Sequence, residues 1–150
     1  MPVICQSERL EASPEVVFEI IGAVERYPEF VPWCTAAWQE TLTPNQTLAT
    51  IEVAAGPFHE QLTTRNTLDA PRSLAMELMS GPFRHLHGGW QLASCAEGTE
   101  VTLTLDFAFR NRLLAMTVSR SMDRVSGRLI AAFRQRVEEA VVQKSGMAGR

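Results

Sequence analysis

The sequence predicts an α+β domain in which an antiparallel sheet of about seven strands packs against one long C-terminal helix. Three observations predict it. From Leu113 to Gln143, apolar residues fall at Leu114, Val118, Met122, Val125, Leu129, Phe133, Val137 and Val141. Steps of three and four put all eight on one face of a helix roughly 45 Å long. Between residues 35 and 110, runs with two-residue alternation are separated by turn signals. The chain also opens with a strand-like run followed by a helix start, so the order is strand, helical insert, about six strands, long helix.

Residues 2–11 read as the first strand, with its inward face left open by the pattern. Ser13-Pro14-Glu15 then starts a helix: serine caps free amides, proline fits the first helical position, and glutamate suits the positive end of the dipole. That helix carries Val16, Val17, Ile20, Ile21 and Val24 and is expected to stop near Tyr27-Pro28. Residues 27–34, YPEFVPWC, hold two prolines and three aromatics. This composition fits a short helical turn that brings Tyr27, Phe30 and Trp33 near one another. Strands are expected at 35–42, 47–55, 58–69, 73–80, 84–94 and 99–109, broken at Pro44-Asn45, Gly56-Pro57, Ala70-Pro71, Gly81-Pro82 and Glu97-Gly98. Strands joined by such short turns are antiparallel neighbours. The face of the final helix opposite its stripe carries Arg120, Asp123, Arg124, Arg128, Arg134, Glu138 and Glu139 and reads as solvated. One domain is expected over 1–144, with a frayed tail at 145–150.

The chain has 150 residues, 45% of them hydrophobic and 21% charged, as expected for a single domain with a substantial core. A formal net charge of −3 gives no bulk attraction to nucleic acid, and no DNA partner is expected. Arg110, Arg112, Arg120, Arg124 and Arg128 make the start of the last helix locally basic. They read as a solvated face or, more sharply, as a dock for phosphate on RNA or lipid. No stretch is apolar enough to span a membrane. Cys5, Cys34 and Cys95 are odd in number and far apart, which suits a reducing cytoplasm rather than a disulfide framework or zinc site.

Three stretches carry a family resemblance. YPEFVPWC (27–34), GPFRHLHGGW (81–90) and LDFAFRNRLL (105–114) are similar to the signature segments of the coenzyme Q-binding START-like family, and TTRNTL (63–68) resembles its bacterial ribosome-association toxin branch. The resemblance implies a helix-grip fold: a curved antiparallel sheet wrapped around the last helix with an apolar cavity between. It also implies a lipid ligand, ubiquinone or a related polyisoprenoid quinone, carried without catalysis in support of respiration. No other cofactor is expected. The implied partners are the quinone or another lipid, a peripheral contact with the inner membrane where the tail leaves the cavity, and, for the toxin branch, the large ribosomal subunit. On this resemblance Tyr27, Phe30 and Trp33 form one rim of the cavity, Phe83 and Trp90 the opposite one, and Leu105, Phe107, Met122, Val125 and Leu129 line the interior.

Strand parity weighs the rival reading, a cyclase or dehydratase. His85 and His87 alternate against Leu86, Trp90 and Leu92, Asp106 against Leu105 and Phe107, and Arg65 against Leu62 and Leu68, so all four are expected to face outward. The expected interior is apolar except for Thr64, Asn66 and Glu60, and offers no convergent titratable groups for acid–base catalysis. His85-x-His87 supplies too few ligands for a metal, and Cys34 has no base beside it. Met76, Met79 and Met122 are adaptable side chains suited to an irregular ligand. Gly127, mid-helix at a cost of about 1 kcal/mol, is expected to make room or to allow close packing. Burying the eight-residue stripe would contribute on the order of 12–24 kcal/mol as an upper figure, enough to hold the helix without a ligand.

Overall fold

A computed structural model describes residues 3–55, 58–119 and 122–148; the side chains at 55, 58, 117–119, 122, 123 and 144–148 lie outside that description. Val118, Met122 and Asp123 are thus beyond reach as side chains, and the Gly56-Pro57 break and Arg120 fall outside the described residues altogether.

The described elements are β1 (Val3–Leu10), α1 (Pro14–Gly22), a 3₁₀ helix (Val24–Glu29), β2 (Cys34–Thr43), β3 (Gln46–Ala55), β4 (Phe58–Asp69), β5 (Ser73–Ser80), β6 (Phe83–Cys95), β7 (Gly98–Phe109), α2 (Arg112–Ser119) and α3 (Met122–Ala148). The seven strands form one antiparallel sheet in the order β1-β7-β6-β5-β4-β3-β2. Its concave face packs against α1 and α3, the helix-grip arrangement. The sheet stays open, with β1 and β2 as its edges.

Local chemistry sets the boundaries. The Ser13 hydroxyl accepts from the Val16 amide at 3.3 Å, and Pro14 stands at the first helical position. The α-helix stops at Gly22, earlier than Tyr27-Pro28, and a 3₁₀ helix carries the chain through both of those residues. Asn111 caps α2, its Oδ1 accepting from Leu113 at 2.8 Å and Leu114 at 3.2 Å.

The last helix is described as two segments flanking residues 120–121, and α3 continues to Ala148, beyond the expected end. Its buried seam also differs from the expected stripe. Ser126, Ile130, Phe133 and Val137 are buried, whereas Val125 and Leu129 are half-buried. The seam follows the 3.6-residue period one position over from the stripe in the first half of α3. Val125 and Leu129 therefore lie on a flank of the helix. Arg128 and Arg136, which contact the 24–33 segment, share that flank, while Arg134 pairs with Glu8 of β1 at 2.6 Å from the other.

Candidate ligand site

Side chains on the concave face lie in rows across the strands. The lower row is Gln6, Leu103, Trp90, Leu74 and Leu68, from β1 to β4. Trp90 is only 4% exposed and its ring centre lies 4.9 Å from that of Phe133. Phe133 in turn meets Phe30 edge-on at 5.1 Å and Tyr27 at 5.4 Å. The space left among Leu10, Val17, Ile21, Trp90, Val101, Ile130, Phe133 and Val137 is about 10 Å³, room for one water at most. This level is closed core.

The next row is Ile4, Leu105, Gly88, Met76, Asn66 and Thr47. Gly88 has φ +149°, and a Cβ there would lie 2.0 Å from the Thr104 carbonyl oxygen, so glycine is required and no side chain rises from the middle of the row. On the β7 side of this gap, Ile4, Phe83, Leu86 and Phe107 form a second buried cluster, with Phe83 and Phe109 stacked at 4.7 Å. On the β5 side the inward-facing apolar residues are left half covered. Ile51, Val53, Leu62, Met76 and Leu78 are half-buried around a floor of small buried residues, Ala49, Thr64 and Asn66. Met76 packs against the core cluster and Leu62 and Leu78 against the second, which leaves a half-covered apolar trough over β3, β4 and β5.

That segment is strapped to α3 beside the trough. Arg136 reaches the Glu29 carboxylate at 2.6 Å, and its guanidinium carbon stands 5.0 Å over the Phe30 ring. Arg128 stands 5.3 Å over the Trp33 ring. Trp33 itself is held at φ +70°, a left-handed conformation that costs a bulky residue energy and is found where surrounding structure imposes it.

The trough carries little charge: Glu60 is half-buried at one end, while Glu8, on β1 beside the closed core, is paired with Arg134. Burial, reinforced by the negative fields of Cys34 and Glu25, pushes the Tyr27 phenol above its ordinary value, and its hydroxyl donates to the Ile21 carbonyl. Burial also raises the Cys34 thiol, partly offset by a hydrogen bond from the Ala36 backbone. His85 and His87 meet Asp106 at 3.0 and 3.8 Å on the convex face, away from the trough, as parity predicts. Among the described residues no group of three or more His, Cys, Asp or Glu is placed to hold a metal.

Comparison with known proteins adds a second line. A model of the family described as polyketide cyclase / dehydrase and lipid transport matches residues 10–134. The chain belongs to this polyketide cyclase and lipid-transport family. It is 31% identical over 140 residues to the ribosome association toxin RatA of Escherichia coli K12, covering 93% of this chain and 89% of that one. It is 27% identical over 133 residues to the mitochondrial coenzyme Q-binding protein COQ10 homolog B of Xenopus laevis, covering 85% of this chain and 54% of that one. The Zhui aromatase/cyclase from Streptomyces sp. R1128 superposes with a TM-score of 0.83 at 18% identity, covering 93% of this chain and 95% of that one, and shares the fold.

Within this family member, the residues expected around one cavity separate. Tyr27, Phe30 and Trp90 converge on Phe133, so Trp90 is a core residue and not part of an opposite rim. Phe83 and Phe107 belong to the second cluster, and Leu105 touches both. Trp33 makes no ring contact with Tyr27 or Phe30 and faces Arg128 instead. Val125 and Leu129 are half-buried on a flank of α3, Leu129 packed against the core cluster; Met122 lies outside the described side chains. Of the methionines, Met76 faces inward, but Met79 is 51% exposed and points away. Gly127 is exposed, and a Cβ there would meet nothing within 4 Å, so it neither makes room nor permits close packing. Ile130, the seam residue missed by the stripe, follows Leu129 directly and is apolar, so an angular fit at 3.6 residues per turn would have found it.

Proposed function

We propose that this chain is a non-catalytic carrier of a polyisoprenoid quinone, ubiquinone or a close relative. The half-covered apolar trough over β3–β5 carries the reading: inward-facing leucine, isoleucine, valine and methionine side chains remain partly open where a folded core would close over them. The coenzyme Q-binding name of the Xenopus laevis relative supports the quinone in particular. The trough's low charge favours binding over acid–base chemistry, although the fold is shared with an aromatase/cyclase. A long tail would outrun a trough of this size and continue toward a membrane surface. Among the described residues no helix is long and apolar enough to cross one. Mild purification followed by organic extraction and mass spectrometry tests the reading. A copurifying quinone supports it; no lipid on extraction, and no binding of added ubiquinone, rejects it.

A second reading, association with the large ribosomal subunit, is favoured by the RatA likeness across 93% of the chain. Of the arginines at the start of the last helix that are described, Arg110, Arg112, Arg124 and Arg128 are all exposed, with Arg110 donating to the Phe83 carbonyl at 3.1 Å and Arg128 stacked on Trp33. Sedimentation of ribosomal subunits with added protein decides it: subunits held apart support it, and an unchanged profile rejects it.

A further inference from the structure

The geometry points to Asn66 as the recognition point for the polar head of the trough's ligand, selecting a neutral carbonyl acceptor over a bare hydrocarbon or an anion. The inference rests on the reading of the chain as a carrier of a hydrophobic ligand and adds to it the group that orients the cargo.

Asn66 is 2% exposed and faces inward, since its neighbour Arg65 pairs outward with Glu77 at 3.1 Å. The Thr64 hydroxyl, on the same face two residues earlier, donates to Asn66 Oδ1 at 2.7 Å. This bond holds the amide plane and turns its nitrogen away from the strand. No hydrogen bond uses that nitrogen, yet among the described residues every fully enclosed side-chain nitrogen or oxygen has a partner. The Asn66 amide nitrogen therefore fronts the trough, with two N–H donors unspent. An unspent donor in an apolar setting is costly unless a ligand supplies the acceptor.

The surroundings define the acceptor. Gly88, two strands away in the same row, leaves a gap wide of any side chain, and Met76 between them is a flexible wall. A flat ring can lie there edge-on to Asn66. The inward-facing carboxylates of the sheet, Glu8 and Glu60, lie in other rows, and Glu8 is paired with Arg134. The row of Asn66 and the strand rows on either side of it carry no inward arginine or lysine to hold a carboxylate or phosphate. A ring carbonyl, neutral and accepting in the plane of the ring, satisfies the donors.

The test titrates two probes by calorimetry, a ubiquinone with two isoprene units and the carbonyl-free hydrocarbon farnesene, against wild type, Asn66→Leu and Thr64→Val. Asn66→Leu keeps side-chain volume and removes the donors. It is expected to weaken the quinone by about five- to tenfold, the worth of a hydrogen bond, while farnesene binds as before or tighter. Thr64→Val frees the amide to turn and is expected to give a smaller loss for the quinone alone. Equal losses for both probes, or an unchanged quinone affinity, overturn the inference while the carrier reading stands. Binding of neither probe to wild type rejects the carrier reading and the inference with it. A variant-free check is the infrared carbonyl band of bound ubiquinone in wild type: a shift to lower wavenumber supports the Asn66 bond, and an unshifted band overturns it.

Discussion

The ring of Phe133 lies 4.9 Å from that of Trp90 and so joins helix α3 to the middle of the sheet. The same ring meets Tyr27 and Phe30 edge-on, which makes it the hub of four aromatic side chains from α3, β6 and the 24–30 segment. Phe133→Ala removes every one of those contacts and leaves a hole the neighbours cannot fill. We expect a loss of about 3–5 kcal/mol in urea unfolding. A loss below about 1 kcal/mol would mean the knot does not hold the helix down.

Two glycines should respond in opposite ways. Gly127 is exposed and a Cβ there meets nothing, so Gly127→Ala should stabilise α3 by about 0.5–1 kcal/mol. Gly88→Ala would drive its Cβ into the Thr104 carbonyl and should lower stability sharply, with loss of the strand register around it. Thermal melts of the pair, one rising and one falling, check both.

The strap has an acid limit. Hydrogen bonding from Arg136, helped by the fields of Arg136 and Arg26, lowers the Glu29 carboxyl below its ordinary 4.5. A carboxyl lowered in the folded state contributes stability that is present above its unfolded value and lost as pH falls through its folded one. Glu29→Gln should therefore cost stability at neutral pH, and the difference from wild type should fade as the pH falls below about 4.5. A difference that stays constant down to acid pH would show that the Arg136 contact does not depend on the Glu29 charge.

Cysteine chemistry offers a direct probe of burial. Cys34 is 7% exposed with its thiol raised by burial, whereas Cys5 is exposed. The thiolate is the reactive form. An alkylating reagent near pH 8 should modify Cys5 first and leave Cys34 until the protein is unfolded. Equal rates in the native state would contradict the packing of β2 against the 3₁₀ segment.

Leu129 tests where the core ends and the proposed ligand wall begins. It lies half-buried on the flank of α3, one position from the sealed seam at Ile130. Leu129→Arg can send its long side chain outward and keep the fold, while placing a cation at the trough. We expect near-native circular dichroism with quinone binding reduced at least tenfold. Retained binding in the folded variant would move the ligand wall elsewhere.

Much of this architecture is readable from residue order. β4 and β5 match the expected 58–69 and 73–80 to the residue, because alternation there is bounded by Pro71 and by the Gly81-Pro82 pair. The outward turn of His85, His87 and Asp106 also follows from parity alone. Other features leave weaker marks. Ser126 is buried in the seam but polar, bonded to Gln6 at 3.3 Å, so a search for apolar periodicity passes over it and settles on Val125. The separation of Phe83 from Tyr27 depends on which row each strand contributes, and register across seven strands is a long-range property. The Arg136 contacts with Glu29 and Phe30 join residues over a hundred positions apart, which no local pattern announces.

Gly88 has a consequence for how such a protein can change over generations. Its lack of a side chain is dictated by the backbone of β7 pressing against it, whatever cargo the trough accepts. Substitutions at Met76, Leu78 or Asn66 can reshape the walls one at a time without touching that constraint. A lineage built on this sheet inherits the vacancy as a fixed asset and is free to trade one hydrophobic cargo for another by editing only its surroundings.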